Sequence, residues 1–190
     1  ESRGHVAKGT WEHLRSLGPI PRNAKVRTTP KRKPVDFDKQ VRPCLPFMPP
    51  QVAAMVQVQY YAGMRPGEVV TMKRNEVDMT SVDGVWLYRP THHKTDYRGD
   101  ELVKVIGPRG QTVMAPWLMA AEPDGYVFPP LRNRYKRGRY DVEGYGRAIE
   151  RACVRAGVVK WCLYDLRRAA ANRAEDAGNI SDASAYLGHK

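Results

Sequence analysis

A tight turn between two proline-started helices most constrains how this chain can fold. Pro49-Pro50 suits the first turn of a helix, and Gly63 stands where that helix can end. Pro66 can start the next helix almost at once. Arg65 therefore falls between two helices that hold its backbone while its side chain points outward. Apolar residues at helical spacing predict one buried face on the first helix: Val52, Met55, Val56 and Tyr60.

A β hairpin and further helices are predicted after this turn. Short β-prone runs at 85–88 and 102–106 flank the polar stretch 91–100, which is typical of a long hairpin. Helical patterns then resume at about 111–120, 142–156, 164–177 and 181–187. We therefore expect an α+β domain that is mostly helical, with the helices around a small antiparallel sheet.

Residues 1–48 differ in composition from the rest of the chain. They are rich in Pro, Lys and Arg, and repeated prolines disfavour any regular element. The basic run Lys31, Arg32 and Lys33 lies among them. We interpret 1–48 as an extended basic arm or linker, with a solvated tail as the alternative, and 49–190 as the main domain.

The charge balance points to a polyanionic partner. Lys and Arg number 32 against 20 Asp and Glu, a formal net charge of +12. Nucleic acid is the commonest partner of such a chain, although charge alone also allows a basic protein that binds none. Arg supplies much of the excess, and its planar guanidinium suits bidentate contact with phosphate.

The cysteines indicate neither a metal nor a disulfide framework. Cys44, Cys153 and Cys162 are widely spaced, and no pair has the spacing of a zinc site. Reduced thiols in a cytoplasmic protein are the simplest interpretation, and no cofactor is expected. No apolar run approaches the roughly 18 residues that a membrane span needs, so no membrane association is expected.

Four short elements, two of them centred on an arginine, follow one another along the chain. The arginine elements are Gly63-Met64-Arg65-Pro66-Gly67-Glu68 and Leu163-Tyr164-Asp165-Leu166-Arg167-Arg168. The others are Lys94, between the two predicted strands, and Tyr186-Leu187-Gly188-His189. In order and placement they resemble the boxes of the tyrosine recombinases, the phage-integrase family. The resemblance covers roughly 49–190.

The resemblance implies a site-specific DNA recombinase or integrase that acts through a 3′-phosphotyrosyl intermediate. When a tyrosine attacks a phosphodiester, negative charge grows on the non-bridging oxygens, and without a metal fixed cations must stabilise it. Arg65 and Arg167 are the implied donors. Lys94 would protonate the leaving 5′ oxygen, and His189 would hydrogen-bond the phosphate. Glu68 is expected either to orient Arg65 or to favour the helix N-terminus electrostatically.

The chain departs from the family pattern in two places. Tyr164 stands where the second box usually has histidine; a phenol can donate a hydrogen bond to phosphate but is a poor base at neutral pH. The family's nucleophile comes shortly after the Leu-Gly-His element, and the sequence stops at Lys190. We therefore expect the nucleophilic tyrosine beyond Lys190, and a chain that binds DNA without cleaving it.

Further basic side chains are candidates for contact with the DNA backbone: Lys31, Arg32, Lys33, His92, His93, Arg98 and Arg168. The resemblance also implies double-stranded DNA as the partner, self-association into a tetramer on DNA, and a cytoplasmic, nucleoid-associated location. The arm would then lead back to a second, largely missing DNA-binding domain.

Two other functions stay open beside the recombinase. One is a non-catalytic DNA-binding protein derived from an integrase, and the other is a basic RNA-associated protein. Contact dominated by duplex phosphates should weaken steeply with salt. A preference for single-stranded RNA would favour the last interpretation.

Overall fold

The computed structural model describes residues 16, 33–80, 84–92, 102–131 and 138–178. The chain divides into two compact units, Glu1–Lys31 and Arg32–Lys190. Every element discussed below belongs to the second unit. The predicted last helix, with His189, and most of the predicted basic arm lie outside the described residues.

The described residues of this unit form five α-helices and a small sheet. The helices are α1 (Pro50–Ala62), α2 (Pro66–Thr71), α3 (Pro108–Ala120), α4 (Val142–Ala156) and α5 (Leu163–Ala177). The strands are β1 (Val77–Asp78), β2 (Trp86–Tyr88) and β3 (Lys104–Ile106). This architecture confirms the predicted α+β fold class. No helix among these residues is long and apolar enough to cross a membrane.

Helix α1 is the centre of the core. It packs against α2, α3 and α5 and against strand β3. Val52, Met55 and Val56 are fully buried as predicted, and Tyr60 packs against the core while partly exposed. Val58 and Gln59 are fully buried as well. The prediction of a single buried face was too narrow, because neighbouring elements cover α1 on several sides.

The sheet is antiparallel with the order β1–β2–β3. Both predicted runs contain a strand, and β1, which the sequence did not indicate, adds a third by pairing Val77 with Tyr88. A strand of two residues is too short to show the alternation of apolar and polar residues by which a strand is recognised. In the other ladder, Trp86 pairs with Ile106 and Tyr88 pairs with Lys104.

The stretch 33–48 differs from the extended arm predicted for it. Phe37–Val41 forms a π-helical turn and Arg42–Phe47 a 3-10 helix. Val41 and Cys44 are fully buried in the core. Proline near the start of a helix costs no intrahelical hydrogen bond, so Pro43 is compatible with this turn. Apolar contacts therefore outweigh the helix-breaking composition, and the domain boundary near residue 48 stays a prediction.

Helices α4 and α5 end close to their predicted positions. Asp141 caps α4, its side chain accepting a hydrogen bond from the Gly144 N–H, and Gly157 ends the helix in left-handed backbone with φ 64°. Helix α5 begins at Leu163 and ends before Gly178. The start of α5 carries the second arginine box, and this helix packs against α1.

Candidate functional site

Arg65 stands at the junction of α1 and α2. Gly63 ends α1 in left-handed backbone, φ 61°, and turns the chain toward α2. The Arg65 backbone N–H donates to Glu68 Oε2 at 2.7 Å, and its Nη1 donates to Glu68 Oε1 at 2.8 Å. Glu68 therefore does orient Arg65, one of its two predicted roles. The Arg65 side chain is 21% exposed, so part of it is accessible from solvent.

Arg167 reaches the same turn from α5. Its side chain is buried, at 8% exposure, and Nη1 donates to the Gly63 carbonyl oxygen at 2.5 Å. That carbonyl belongs to the end of α1, where the helix itself leaves carbonyls without intrahelical partners. Burial, and then the positive charge of Arg65, lower the pKa of the Arg167 guanidinium. The structure thus brings together the two arginines of the motifs.

A third cation, which the sequence analysis missed, lies beneath the arginines. Lys104, on β3, is 0% exposed. Burial lowers its pKa from 10.5 to about 8, the nearby Glu68 carboxylate opposes that shift, and the charges of Arg167 and Arg65 add to it. The available signal was period-two alternation along β3, which places Lys104 on the same inward face as Ile106.

Tyr88 joins the sheet to this cluster. It pairs with Lys104 in the β2–β3 ladder, so the two side chains are neighbours on one face of the sheet. Its hydroxyl donates to the Glu68 carbonyl oxygen at 3.2 Å. Tyr88 is fully buried, and burial raises the pKa of its phenol. The face of the sheet that bears Lys104 is therefore held against α2.

A buried hydrogen-bond chain fixes the start of α5. Tyr145 on α4 donates through its hydroxyl to Gln59 Oε1 at 2.9 Å. Gln59 on α1 donates through Nε2 to the Leu163 carbonyl oxygen at 2.8 Å. Leu163 is the first residue of α5, so these hydrogen bonds position the start of the helix that carries Arg167. Such satisfied buried networks rigidify the elements they connect.

Tyr164 lies on the solvent side of the same helix turn. It is 55% exposed, and it is close enough to Arg167 to influence the pKa of that guanidinium. Its phenol is therefore available to an anion approaching Arg167. The role in phosphate positioning that the sequence suggests for Tyr164 stays a prediction.

The structure also locates some of the predicted DNA contacts. Arg168 is half-exposed and its Nη1 pairs with Asp165 Oδ1 at 2.6 Å, while Asp165 Oδ2 accepts from the Cys162 N–H at 2.8 Å. Lys33, which is exposed, and Asp165, which is buried, both line a cavity of about 500 Å³. His92 is exposed where the hairpin leaves β2. The other predicted contacts, together with Lys94, lie outside the described residues: Lys31, Arg32, His93 and Arg98.

This arrangement suits an oxyanion better than a metal. The carboxylate of Glu68 acts on three cations among the described residues, Arg65, Arg167 and Lys104, so positive charge is in excess around it. Guanidinium groups donate in a plane that matches phosphate geometry. Within the described ranges, no group of three His, Cys, Asp or Glu side chains could hold a metal ion.

Comparisons with known proteins concern the family and the fold of the domain. The model of the phage integrase family matches residues 48–190. Among solved structures, XerA recombinase is similar at 18% identity and a TM-score of 0.63, over 95% of this chain and 63% of that one. The catalytic core of lambda integrase is similar at 15% identity and a TM-score of 0.61, over 84% of this chain and 96% of that core.

A third similar structure is a lambda integrase tetramer bound to a Holliday junction. It has 16% identity and a TM-score of 0.59, over 95% of this chain and 55% of that one. At such identities the likeness concerns the fold. The chain spans less than two thirds of XerA recombinase. Among curated proteins, none matches the chain by sequence.

Proposed function

The chain belongs to the phage integrase family, and from that premise we propose that it binds duplex DNA and acts in site-specific breakage and rejoining of the DNA backbone. One observation carries the proposal: Arg65 and Arg167 converge on the turn at Gly63. Family membership says which chemistry to expect, and the converging guanidiniums supply the charge that this chemistry needs.

The proposed role of the arginines is to hold one phosphodiester through its transition state. Attack on phosphorus places extra negative charge on the non-bridging oxygens. Donors that are already fixed need no reorganisation when that charge appears. Arg65 is fixed by Glu68 and Arg167 by the Gly63 carbonyl.

The remaining steps of the proposal follow the family. The nucleophilic tyrosine loses its hydroxyl proton to water as its oxygen forms the bond to phosphorus, the bond to the 5′ oxygen breaks, and Lys94 gives that oxygen its proton. The resulting 3′-phosphotyrosyl ester keeps the bond energy, so a 5′ hydroxyl can reverse the reaction without ATP. Fully buried Tyr88 and Tyr145 are unsuited to be the nucleophile, because burial raises the pKa of each phenol.

Self-association on DNA is part of the same proposal. The similar lambda integrase is a tetramer on a Holliday junction. Two duplexes must exchange strands in recombination, so several copies of one chain have to meet on DNA. A non-catalytic DNA-binding protein is the alternative, and it differs from the recombinase only in forming no covalent adduct with DNA.

Binding to duplex DNA is the first test. We expect affinity for a duplex of mixed sequence to exceed that for single-stranded RNA of the same length, and to fall steeply with salt. Arg167→Gln should weaken duplex binding about tenfold, the effect of losing one charged contact. Arg147→Gln is the matched control, since its side chain is half-exposed and already paired with Glu143, and it should weaken binding less.

Covalent capture then separates enzyme from binding protein. The chain is incubated with a pool of nicked duplexes from which the short cleaved fragment dissociates, so that its 5′ hydroxyl cannot reverse the reaction. Covalent protein–DNA adducts that survive denaturation are then mapped by mass spectrometry. A phosphotyrosine whose yield falls in Arg167→Gln supports the recombinase. Duplex binding with no adduct agrees with the expectation that this chain binds DNA without cleaving it, an expectation that the non-catalytic alternative shares. A preference for single-stranded RNA contradicts both.

A further inference from the structure

We propose that Lys104 is a positioning residue of the phosphate site: the charge of its buried ammonium, acting from beneath Glu68 and the two arginines, sets how strongly the site holds a DNA phosphate. This inference rests on the proposed DNA binding. It concerns a residue outside the four motif elements, and the buried residues on either side of it are apolar: Leu102, just before β3, and Ile106, in β3.

The geometry places the lysine under the site rather than in it. Lys104 is fully buried, so its ammonium cannot meet DNA directly. Its ladder partner Tyr88 reaches the carbonyl oxygen of Glu68, which shows that this face of the sheet abuts the start of α2. The same α2 residue holds the Arg65 guanidinium through its carboxylate. Lys104 therefore acts through Glu68 and through the field it adds.

Burying a lysine is costly unless something offsets the lost hydration. Among the described residues, the charged groups that act on the pKa of Lys104 are Glu68 on α2, Arg65 in the α1–α2 turn and Arg167 on α5. Tyr88 on β2 adds a neutral phenol. Of these, the two guanidiniums disfavour the ammonium and the carboxylate of Glu68 favours it. Helices α1 and α3, which also pack against β3, bring further titratable side chains: Tyr60, Tyr61 and Arg109.

A phosphate bound to the arginines would change this balance. Its negative charge, acting across a poorly hydrated region, favours the ammonium form of Lys104. By linkage, the protonated lysine must then favour the bound phosphate by the same factor. Since the pKa of Lys104 is lowered to about 8, a large fraction of chains can take up a proton on binding near that pH.

The experiment compares duplex binding by the full chain with binding by Lys104→Met, at pH 7 and at pH 9 and constant ionic strength. Methionine has a similar unbranched shape without the charge. If binding raises the pKa of Lys104 by about one unit, wild-type affinity should fall about fivefold between these pH values. Lys104→Met should bind about tenfold more weakly at pH 7 and change little with pH.

Two further measurements keep the test decisive. Lys39→Met removes the same charge from a side chain that is 84% exposed, and it should keep the wild-type pH dependence. Titration calorimetry on the unaltered chain, in buffers with different ionisation enthalpies, should show uptake of up to about half a proton at pH 8. That measurement needs no variant to fold.

The outcomes distinguish this inference from the proposed function. Duplex binding with the same pH dependence in wild type and Lys104→Met, or with no proton uptake at pH 8, overturns the role of Lys104 and leaves DNA binding intact. If the wild-type chain fails to bind duplex DNA, the proposed function fails and this inference falls with it.

Discussion

The guanidinium of Arg167 donates a hydrogen bond to the carbonyl oxygen of Gly63, 104 positions earlier in the chain. This bond joins the start of α5 to the turn between α1 and α2, where Arg65 begins the next helix. Because Glu68 fixes Arg65 on the other side of that turn, the two arginines share one support. Changes that move α5, α2 or the Gly63 turn should therefore affect both arginines together.

Glu68→Gln should lower the stability of the folded chain while keeping the shape of the site. Glutamine keeps the size of the side chain but removes the carboxylate that pairs with Arg65 and acts on Arg167 and Lys104, so we expect a loss of about 2 kcal/mol in the free energy of unfolding. The pKa of Lys104 should also fall further, because Glu68 now supports its charge. Urea unfolding measures the first effect, and the pH midpoint of duplex binding measures the second.

Glu143→Gln is the matched control for this change. Glu143 pairs with Arg147 at 2.6 Å, but both side chains are more than half exposed. Ion pairs in water contribute little, so the loss should stay below about 0.5 kcal/mol. Equal losses for Glu68→Gln and Glu143→Gln would contradict the account of a supporting carboxylate.

Lys104→Met should change how stability depends on pH. The pKa of Lys104 is about 8 in the folded chain and near 10.5 when unfolded, so between these values the unfolded chain binds a proton that the folded chain does not. The contribution of Lys104 to stability therefore rises as pH increases from about 8 to 10.5. Below pH 8 its burial is most costly, and the methionine variant gains most there.

Urea unfolding of both proteins at several pH values measures this effect. The stability advantage of Lys104→Met over wild type should shrink by on the order of 3 kcal/mol between pH 7 and pH 10.5. Other groups, such as the Cys44 thiol, whose pKa burial raises to about 11, are common to both proteins and cancel in the difference. A difference that stays constant with pH would refute the buried, titrating lysine.

Tyr145→Phe should loosen α5 at its start. The change removes the hydroxyl that donates to Gln59 Oε1. The Nε2 of the same Gln59 side chain donates to the Leu163 carbonyl oxygen. An acceptor left buried without its donor costs about 1–3 kcal/mol. Hydrogen exchange should speed up at the start of α5, and unfolding should occur at lower urea. Tyr164→Phe alters a half-exposed phenol at the start of α5 and should leave hydrogen exchange and urea unfolding nearly unchanged. Equal effects of the two variants would contradict the role of Tyr145 in holding the start of α5.

The arginine pair was accessible from the sequence because its signal is local. Gly63 and Pro66 define the turn that presents Arg65, and the second box begins a recognisable helix at Leu163. The convergence of the two boxes is not local. It depends on the burial of α1 on several sides. The spacing of apolar residues in the sequence indicated only one buried side.

Lys104 and the stretch 33–48 escaped prediction for a different reason. A lysine within a β-prone run is usually solvent-facing, and only its alternation with Ile106 indicates an inward side chain. Prolines in 33–48 suggested an extended chain, whereas tight helical turns tolerate them and bury Val41 and Cys44. In both cases tertiary packing decided the outcome, and composition pointed the other way.

The salt dependence of duplex binding tests most directly whether Arg65 and Arg167 hold a single phosphate. Each neutralised phosphate contributes about 0.9 to the slope of log affinity against log salt. The double variant Arg65→Gln with Arg167→Gln, checked for folding by circular dichroism, should therefore lose about 0.9 from the wild-type slope. A loss of about 1.8 would mean two separate phosphates, and an unchanged slope would mean none; either result contradicts the shared site.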